Sequence, residues 1–588
     1  MIHFVFSDKD NRYMFLKGDT EEDIQNLEYY QASCNLTDPR CFLKSYKKSG
    51  RPPFTQDFIF DYKQTAGTHV FYGAIGMWQT AFKFFRKNNI AFDGLVENQH
   101  MFKHEIKHTY DEFVDIIRTW NLLYFPREYQ LQAAYKILQY RQSLSVLSTR
   151  AGKTLIAYIV FRYAMQYMDM KRVLMIVPSV QLVTQGYTDF QDYAEFFKTE
   201  CIWSGGKLVE SANLTIGTFQ SLIGFIDRTS RRYNPHFFDT YDCVFVDEVH
   251  RATAEQIRNI ISQPFMKQVK IAFGMTGTLP KENTIPAYCL HSLLGAKIQD
   301  IEPRELMDSG YISDVDITQI RLSYKNRQSQ VAAYIKCAEY AISRFVDTED
   351  KNRKKQHIPL EHKEHQIQYV KELPIIVQNK KTEIYKTNTD INTANIEYAK
   401  YLNNVISESD VTNALVVERM MSHFMNARID YLCYNILPMC DKNTLILAHH
   451  TEYINYVYMI LRDRYPDKHI MKITGSIKLK EREKIRKAFR EHNDCILIAS
   501  YGTTSTGLTL SNLCYGILFE SFKSTVVNIQ SIGRGLGLAD NKDTYRVFDV
   551  IDVFDTALNT KAIYLQGLAK IRLYKKYEYP FKIINEVL

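Results

Sequence analysis

Gly152-Lys153-Thr154 and Asp247-Glu248-Val249-His250 are the two segments of this 588-residue chain whose residue types suit phosphate chemistry. The first follows the apolar run Leu144-Ser-Val-Leu-Ser and opens the helical stretch Leu155-Ile-Ala-Tyr-Ile-Val-Phe. In that strand, loop and helix order, backbone N–H groups and the positive helix end would face the β- and γ-phosphates of a nucleotide. Lys153 would add a point charge and the Thr154 hydroxyl would reach Mg²⁺. The loop itself reads Ser148-Thr149-Arg150-Ala151, and Leu147 stands where a phosphate loop usually has its first glycine. Asp247 and Glu248 close a second apolar run, residues 243 to 246, at the strand end where α/β sheets bind ligands. Asp247 can hold Mg²⁺ through its water shell, and Glu248 can orient and deprotonate an attacking water. The chemistry these residues suit is hydrolysis of a nucleoside triphosphate, with Lys153, Asp247 and Glu248 as catalytic groups and Thr154 and Asp247 as metal ligands.

Such residues need a parallel sheet to position them. Runs rich in β-branched residues at 144, 173, 213 and 243 are separated by stretches long enough for crossover helices, and the texture returns at 444, 495, 515 and 545. The fold class expected is therefore α/β, with two parallel-sheet domains. Residues 1 to about 110 alternate aromatic-rich runs such as His3-Phe-Val-Phe with turn-prone segments such as Ser49-Gly-Arg-Pro-Pro, which predicts a small α+β domain. Within it, Trp78 to Lys87 reads as a helix whose Lys83, Arg86 and Lys87 suit a phosphate backbone. Residues 350 to 395 begin Lys351-Asn-Arg-Lys-Lys and read as an exposed basic insertion or mobile loop.

Composition narrows the class. At 45% hydrophobic and 24% charged residues the chain is ordinary globular protein, which excludes collagen-like, disordered and coiled-coil readings of the whole. The net charge of +8 permits a polyanionic partner if it is concentrated locally. Ten cysteines without a C-x-x-C pair argue against a zinc ribbon and for reduced thiols. With no apolar run of membrane-spanning length, a soluble intracellular protein is expected.

The D-E-x-H form of Asp247 to His250 resembles the acidic box of superfamily 2 helicases, and the likeness extends along both α/β domains. Arg127-Glu-Tyr129-Gln130 resembles an adenine-reading Q motif. That makes Arg127, Gln130, Thr149, Ala151, Gly152, Lys153 and Thr154 the implied nucleotide-binding residues. Val177-Pro178-Ser179 through Gln185, and Thr215 through Thr218, resemble segments that hold a single strand by its phosphates. Thr276-Gly277-Thr278 resembles the motif that couples nucleotide state to domain closure, a task shared with His250. In the second domain Thr474-Gly475-Ser476 and the run Ala499 to Thr509, containing Thr506 and Gly507, resemble further strand-contacting segments; Gly507 is also an implied nucleotide contact. Gln530-Ser-Ile-Gly533-Arg534 resembles motif VI, which implies catalytic roles for Gln530 and Arg534, the latter as an arginine finger. The second arginine of that motif is replaced by Gly537, and Arg546 is a nearby basic residue that could substitute.

The combination with Leu306-Met-Asp-Ser-Gly-Tyr311-Ile and Val547-Phe-Asp549-Val-Ile-Asp552 is similar to the UvsW-like recombination helicases of the phage T4 type. The resemblance implies two RecA-like motor domains, at 116–302 and 416–588. It also implies an accessory duplex-binding domain at 1–115 and a hinge with a lysine-rich helical insertion at 303–415. It further implies ATP and Mg²⁺ as cofactors and a monomer acting on single-stranded and branched DNA, including the RNA of R-loops. Three other readings stay open on sequence: an RNA-directed helicase or transcript-release factor, a nucleic-acid-binding module with an impaired motor, and a restriction-complex motor.

Overall fold

The computed structural model describes all residues except 7–11, 38–54, 64–68, 194–195, 203–211, 250–258, 261–267, 296, 356–363, 410–413, 476, 478, 505–509, 511, 522–523, 540–541, 543 and 556–560. His250, Ser476, Thr506 and Gly507 thus lie outside the described residues. The chain divides into two compact units, Met1–Leu306 and Met307–Leu588.

The first unit contains two sheets. Its N-terminal part has strands β1 (Ile2–Phe6), β2 (Tyr13–Gly18), β3 (Leu36–Thr37), β4 (Thr55–Gln56), β5 (Ile59–Lys63), β6 (His69–Ala74) and β7 (Phe92–Asp93). Five of them form a mixed sheet in the order β5-β6-β2-β1-β7, and β3 pairs with β4 separately. Alternation sets the buried face: Ile2 and Phe4 on β1, and Met14 and Leu16 on β2, are fully buried. The helix predicted at Trp78–Lys87 is present, with Ala81 and Phe85 buried and Lys83, Arg86 and Lys87 exposed. This core runs on to Ile285, Tyr288 and Cys289 of the helix Ile285–Leu294. Gly76 permits the approach, because a Cβ there would lie 2.2 Å from the His291 carbonyl oxygen.

The larger sheet of this unit comprises β8 (Gln142–Leu147), β9 (Val173–Val177), β10 (Thr199–Ile202), β11 (Leu214–Thr218), β12 (Cys243–Asp247), β13 (Ile271–Thr276) and β14 (Lys297–Ile301), in the order β10-β11-β9-β12-β13-β8-β14. Every pairing is parallel. The expected strands at 144, 173, 213 and 243 are β8, β9, β11 and β12. β13 is not among those expectations because Gly274 interrupts its apolar run. The glycine is there for packing, since a Cβ would lie 2.8 Å from Leu144 and 2.9 Å from Leu294 side-chain atoms.

The second unit holds another fully parallel sheet: β15 (Asp314–Ser323), β16 (Thr444–Ala448), β17 (Ile470–Ile473), β18 (Ile496–Ser500), β19 (Tyr515–Leu518), β20 (Thr544–Val553) and β21 (Phe581–Val587), in the order β17-β18-β16-β19-β20-β15-β21. β15 falls within the segment read from sequence as hinge and insertion, yet it lies between β20 and β21 and pairs with β20 over its whole length. Most of the described residues between 350 and 395, expected as an exposed basic insertion or mobile loop, belong instead to the helices Arg327–Lys355, Glu364–Thr387 and Ile391–Ser409. Leu373, Val377, Ile384, Ala394, Tyr398 and Leu402 recur at helical spacing and bury against Ile551, Phe554 and Ile563. The surrounding Lys, Asn and Gln residues masked that stripe in a reading by composition. Among the described residues no helix is long and apolar enough to cross a membrane.

Among the described residues Arg428 is the largest fully buried side chain. Its guanidinium pairs with Asp552 at 2.8 Å, donates to the Tyr453 hydroxyl at 2.9 Å and to the Phe519 carbonyl, and stacks on the Phe519 ring. Arg428→Met leaves the Asp552 carboxylate buried without its partner cation. The expected cost is about 3–5 kcal/mol, read as a lower unfolding midpoint of the second unit by far-UV circular dichroism.

Candidate active site

Five neighbouring strands of the first unit's parallel sheet, in the order β11-β9-β12-β13-β8, each deliver one candidate segment to the same carboxyl edge. β8 leads to the loop 148–152, β9 to Pro178-Ser179, β11 ends on Thr218, β12 on Asp247 and β13 on Thr276. Parallel strands make this convergence automatic, since all carboxyl ends point one way.

Leu147 is the last residue of β8 and is fully buried. Its departure from the usual glycine therefore belongs to the core, and the loop proper is the five residues Ser148 to Gly152. Arg150 and Gly152 take left-handed backbone angles, φ 75° and 76°, and Gly152 caps the helix Lys153–Tyr167. A side chain at 152 would be strained at that φ, and its Cβ would lie 2.2 Å from Gln130 Nε2. Gln130, buried to 6% exposure, explains that closeness. Its amide donates to the Ala151 carbonyl at 2.9 Å and accepts from the Arg127 backbone N–H at 2.9 Å. The Tyr129 hydroxyl donates to the same Ala151 oxygen at 2.9 Å. Gln130 and Tyr129 thus brace the loop 148–152 through the Ala151 carbonyl.

Lys153 Nζ and Glu248 Oε1 are 3.1 Å apart, with side-chain exposures of 12% and 20%. Glu248 itself has φ 45°, which a non-glycine residue rarely adopts, and its backbone N–H donates to Asp247 Oδ1 at 2.9 Å. The turn therefore holds two carboxylates and an ammonium at one strand edge. Thr276 Oγ1 donates to the Thr278 carbonyl at 2.8 Å and accepts from the Thr278 N–H at 3.2 Å. A Cβ on Gly277 would lie 3.7 Å from Thr149 Oγ1, so this turn runs beside the phosphate loop. The Thr278 hydroxyl oxygen is buried and has no hydrogen-bond partner among the described residues.

The other residues of the first unit lie further along the same edge. Ser179 Oγ accepts from the Leu182 N–H at 3.4 Å at the start of the helix Val180–Tyr193, which carries half-buried Gln185. Thr218 caps the helix Phe219–Ile223, accepting from the Ser221 N–H at 3.2 Å.

In the second unit β17, β18, β16 and β19 are consecutive neighbours and again feed one edge. Thr474 is buried and Gly475 is exposed. Arg482, which no motif marks, holds that turn by donating to the carbonyls of Gly475 at 3.0 Å and Ile477 at 2.9 Å. Gln530 lies in the helix Thr525–Gly533, and Arg534 is the half-buried residue that follows it. Gly535 packs on Tyr545, where a Cβ would come within 2.2 Å of the ring. The turn after Arg534 is held by Lys542 and Ser313. Lys542 Nζ donates to the Gly535 and Gly537 carbonyls, the latter at 2.7 Å, and Ser313 Oγ donates to Gly537 at 3.1 Å. Arg546 is not part of this arrangement. It is exposed at the amino end of β20, opposite Tyr515 in register, whereas the motif segments follow carboxyl ends. Lys542 is the cation built under the turn, and only its position beyond Gly537 hints at it in sequence.

Residues 123–281 match the family described as "Type III restriction enzyme, res subunit", and residues 427–536 match "Helicase conserved C-terminal domain". The ATP-dependent DNA helicase uvsW of Enterobacteria phage T4 is 23% identical over 519 residues, covering 85% of this chain and 86% of the relative. The helicase/translocase subunit XPB of general transcription and DNA repair factor IIH from Enterocytozoon bieneusi is 25% identical over 240 residues, 37% of either chain. The crystal structure of T4 UvsW aligns over 100% of this chain and 99% of its own, with 19% identity and a TM-score of 0.41. The matched helicase regions in both units, together with sequence similarity to uvsW along most of the length, make this chain an ATP-hydrolysing superfamily 2 helicase of the DExH type, resembling the phage T4-type UvsW helicase.

Proposed function

We propose that this helicase remodels branched DNA, meaning forks, recombination junctions and R-loops, and that Lys153, Asp247, Glu248, Gln530 and Arg534 carry its ATP chemistry. The observation that carries the reading is the 3.1 Å pair of Lys153 and Glu248 at the carboxyl edge of the first sheet. Glu248 pairs with Lys153. A γ-phosphate oxygen offers Lys153 a stronger anionic partner, and the released Glu248 carboxylate becomes the acceptor for a proton of the attacking water. Gly152 and its neighbours would present backbone N–H groups to the phosphates, and Gln130 would read the adenine edge with its side-chain amide. Thr154 and Asp247 offer the hydroxyl and carboxylate oxygens that suit Mg²⁺, which when bound neutralises phosphate charge. Their oxygen-only chemistry fits that ion and not a softer one.

Pro178, Ser179, Gln185 and Thr218 in the first unit, and Thr474 and Gly475 in the second, would hold a single strand by its phosphates, with Thr276 and Thr278 linking nucleotide state to that grip. His250, Thr506 and Gly507 take their family roles in the same reading. The exposed Lys83, Arg86 and Lys87 of the N-terminal domain suit a duplex backbone. The protein would act inside the cell, as a monomer on its substrate, and without sequence preference, because phosphate contacts supply affinity and not base identity. The test is unwinding of forked, four-way and R-loop substrates by the wild type and by Lys153→Ala. The expected result is ATP-dependent unwinding of all three, lost in the variant. Unwinding confined to RNA duplexes, or unaffected by the variant, overturns the reading.

A further inference from the structure

At the carboxyl edge of the second unit's sheet three metal-ligating side chains converge from three elements. His423 ends the helix Ala414–His423, His450 follows β16, and Glu520 follows β19. One nitrogen of each imidazole and one Glu520 oxygen all lie within 4.8 Å of one another. His423 Nε2 is 2.6 Å and His450 Nδ1 3.2 Å from the same oxygen, Glu520 Oε1. The other oxygen, Oε2, accepts from the backbone N–H groups of His449 and His450, so the carboxylate is held with Oε1 toward the imidazoles. His423 is in turn fixed by stacking on Tyr453, with ring centroids 4.0 Å apart.

We propose that His423, His450 and Glu520 bind a transition-metal ion of the zinc class. Two imidazole nitrogens and one carboxylate oxygen are a borderline donor set that favours Zn²⁺ or Co²⁺ over Mg²⁺ or Ca²⁺, which take oxygen ligands. Tetrahedral bonds of about 2.0–2.1 Å place ligand atoms roughly 3.3 Å apart, so the contacts to Oε1, at 2.6 and 3.2 Å, widen slightly and the two imidazole nitrogens, no more than 4.8 Å apart, close by at most about 1.5 Å. The ion replaces the two hydrogen bonds to Oε1, and both imidazoles then bind through unprotonated nitrogens. Exposure suits entry: the Glu520 side chain is fully buried, whereas those of His423 and His450 keep 18% and 35% of their surface in solvent. Three protein ligands leave a fourth position on that open side for water. Two cations act on the cluster: Arg419, which donates to the Ser521 carbonyl at 2.9 Å, and Arg428, which is already neutralised by Asp552.

The test is titration of the full chain with Co²⁺, followed by its visible absorption, and with Zn²⁺, followed by mass-spectrometric metal content, in excess Mg²⁺. One equivalent is expected to bind, with the intense visible bands of tetrahedral Co²⁺ and a higher melting temperature on adding Zn²⁺. His450→Ala, which removes a half-exposed ligand and is expected to fold, and Glu520→Gln should each weaken binding more than about tenfold. His492→Ala, which breaks the separate stacked His469–His492 pair, and Asp247→Asn should leave it unchanged. Absence of a stoichiometric ion in the wild type, or wild-type binding by His450→Ala, overturns the proposal. Because none of these readouts uses ATP or DNA, its failure is distinct from failure of the proposed motor function.

Discussion

Glu248→Gln is expected to lower ATP turnover by about 10²–10⁴-fold, the range for loss of a general base, while nucleotide binding survives. The substitution keeps the shape of the side chain at its left-handed φ of 45° and removes only the negative charge. Two consequences follow from the 3.1 Å pair. The attacking water loses its proton acceptor, and Lys153 loses its competitor for phosphate. ATP affinity should therefore stay level or rise as turnover falls, a split that single-turnover hydrolysis and titration with a fluorescent nucleotide would read separately. Loss of binding in parallel with turnover would instead make Glu248 a scaffold for Lys153, and the assignment of the base would fail.

Arg534→Ala carries the second large effect. The loss of a cation from a transferring γ-phosphoryl is worth about 10³–10⁵ in rate in other nucleotidases, and a comparable fall in DNA-stimulated ATPase is expected. The side chain leaves a turn whose carbonyls are already satisfied by Lys542 and Ser313. The alanine variant should therefore keep this turn, and its DNA affinity should stay near that of the wild type. Stimulated ATPase within about tenfold of wild type would remove Arg534 from the chemistry and make Gly537, in place of the motif's second arginine, the sign of a different arrangement.

The legible parts of the site were those in which chemistry dictates residue type over a short span. Gly152-Lys153-Thr154 and Asp247-Glu248 need no tertiary information, because a phosphate cradle and an acidic strand end are local arrangements of consecutive residues. The two α/β sheets were legible for a related reason: buried parallel strands such as Val173–Val177 and Thr444–Ala448 are apolar on both faces. Supporting residues carried no such signal. Arg482 and Lys542 act through backbone carbonyls brought near by folding, and any long cation at a suitable distance could do the same. Gly274 broke the apolar run of β13 for a packing reason visible only beside Leu144 and Leu294.

What the sequence alone determined was the class of chemistry and the pair of parallel-sheet domains. Each depends on spacings of a few residues or on apolar patterning. The tertiary structure decided which strands neighbour each other, and so why five separate segments of the first unit meet at one edge. It placed β15 in the second sheet and packed Leu373, Val377, Ile384, Tyr398 and Leu402 of the polar segment that follows in helices. It also brought His423, His450 and Glu520 together across 97 residues of chain. Those outcomes depend on contacts between residues distant in sequence, whose energies come from burial and close packing that no local pattern records.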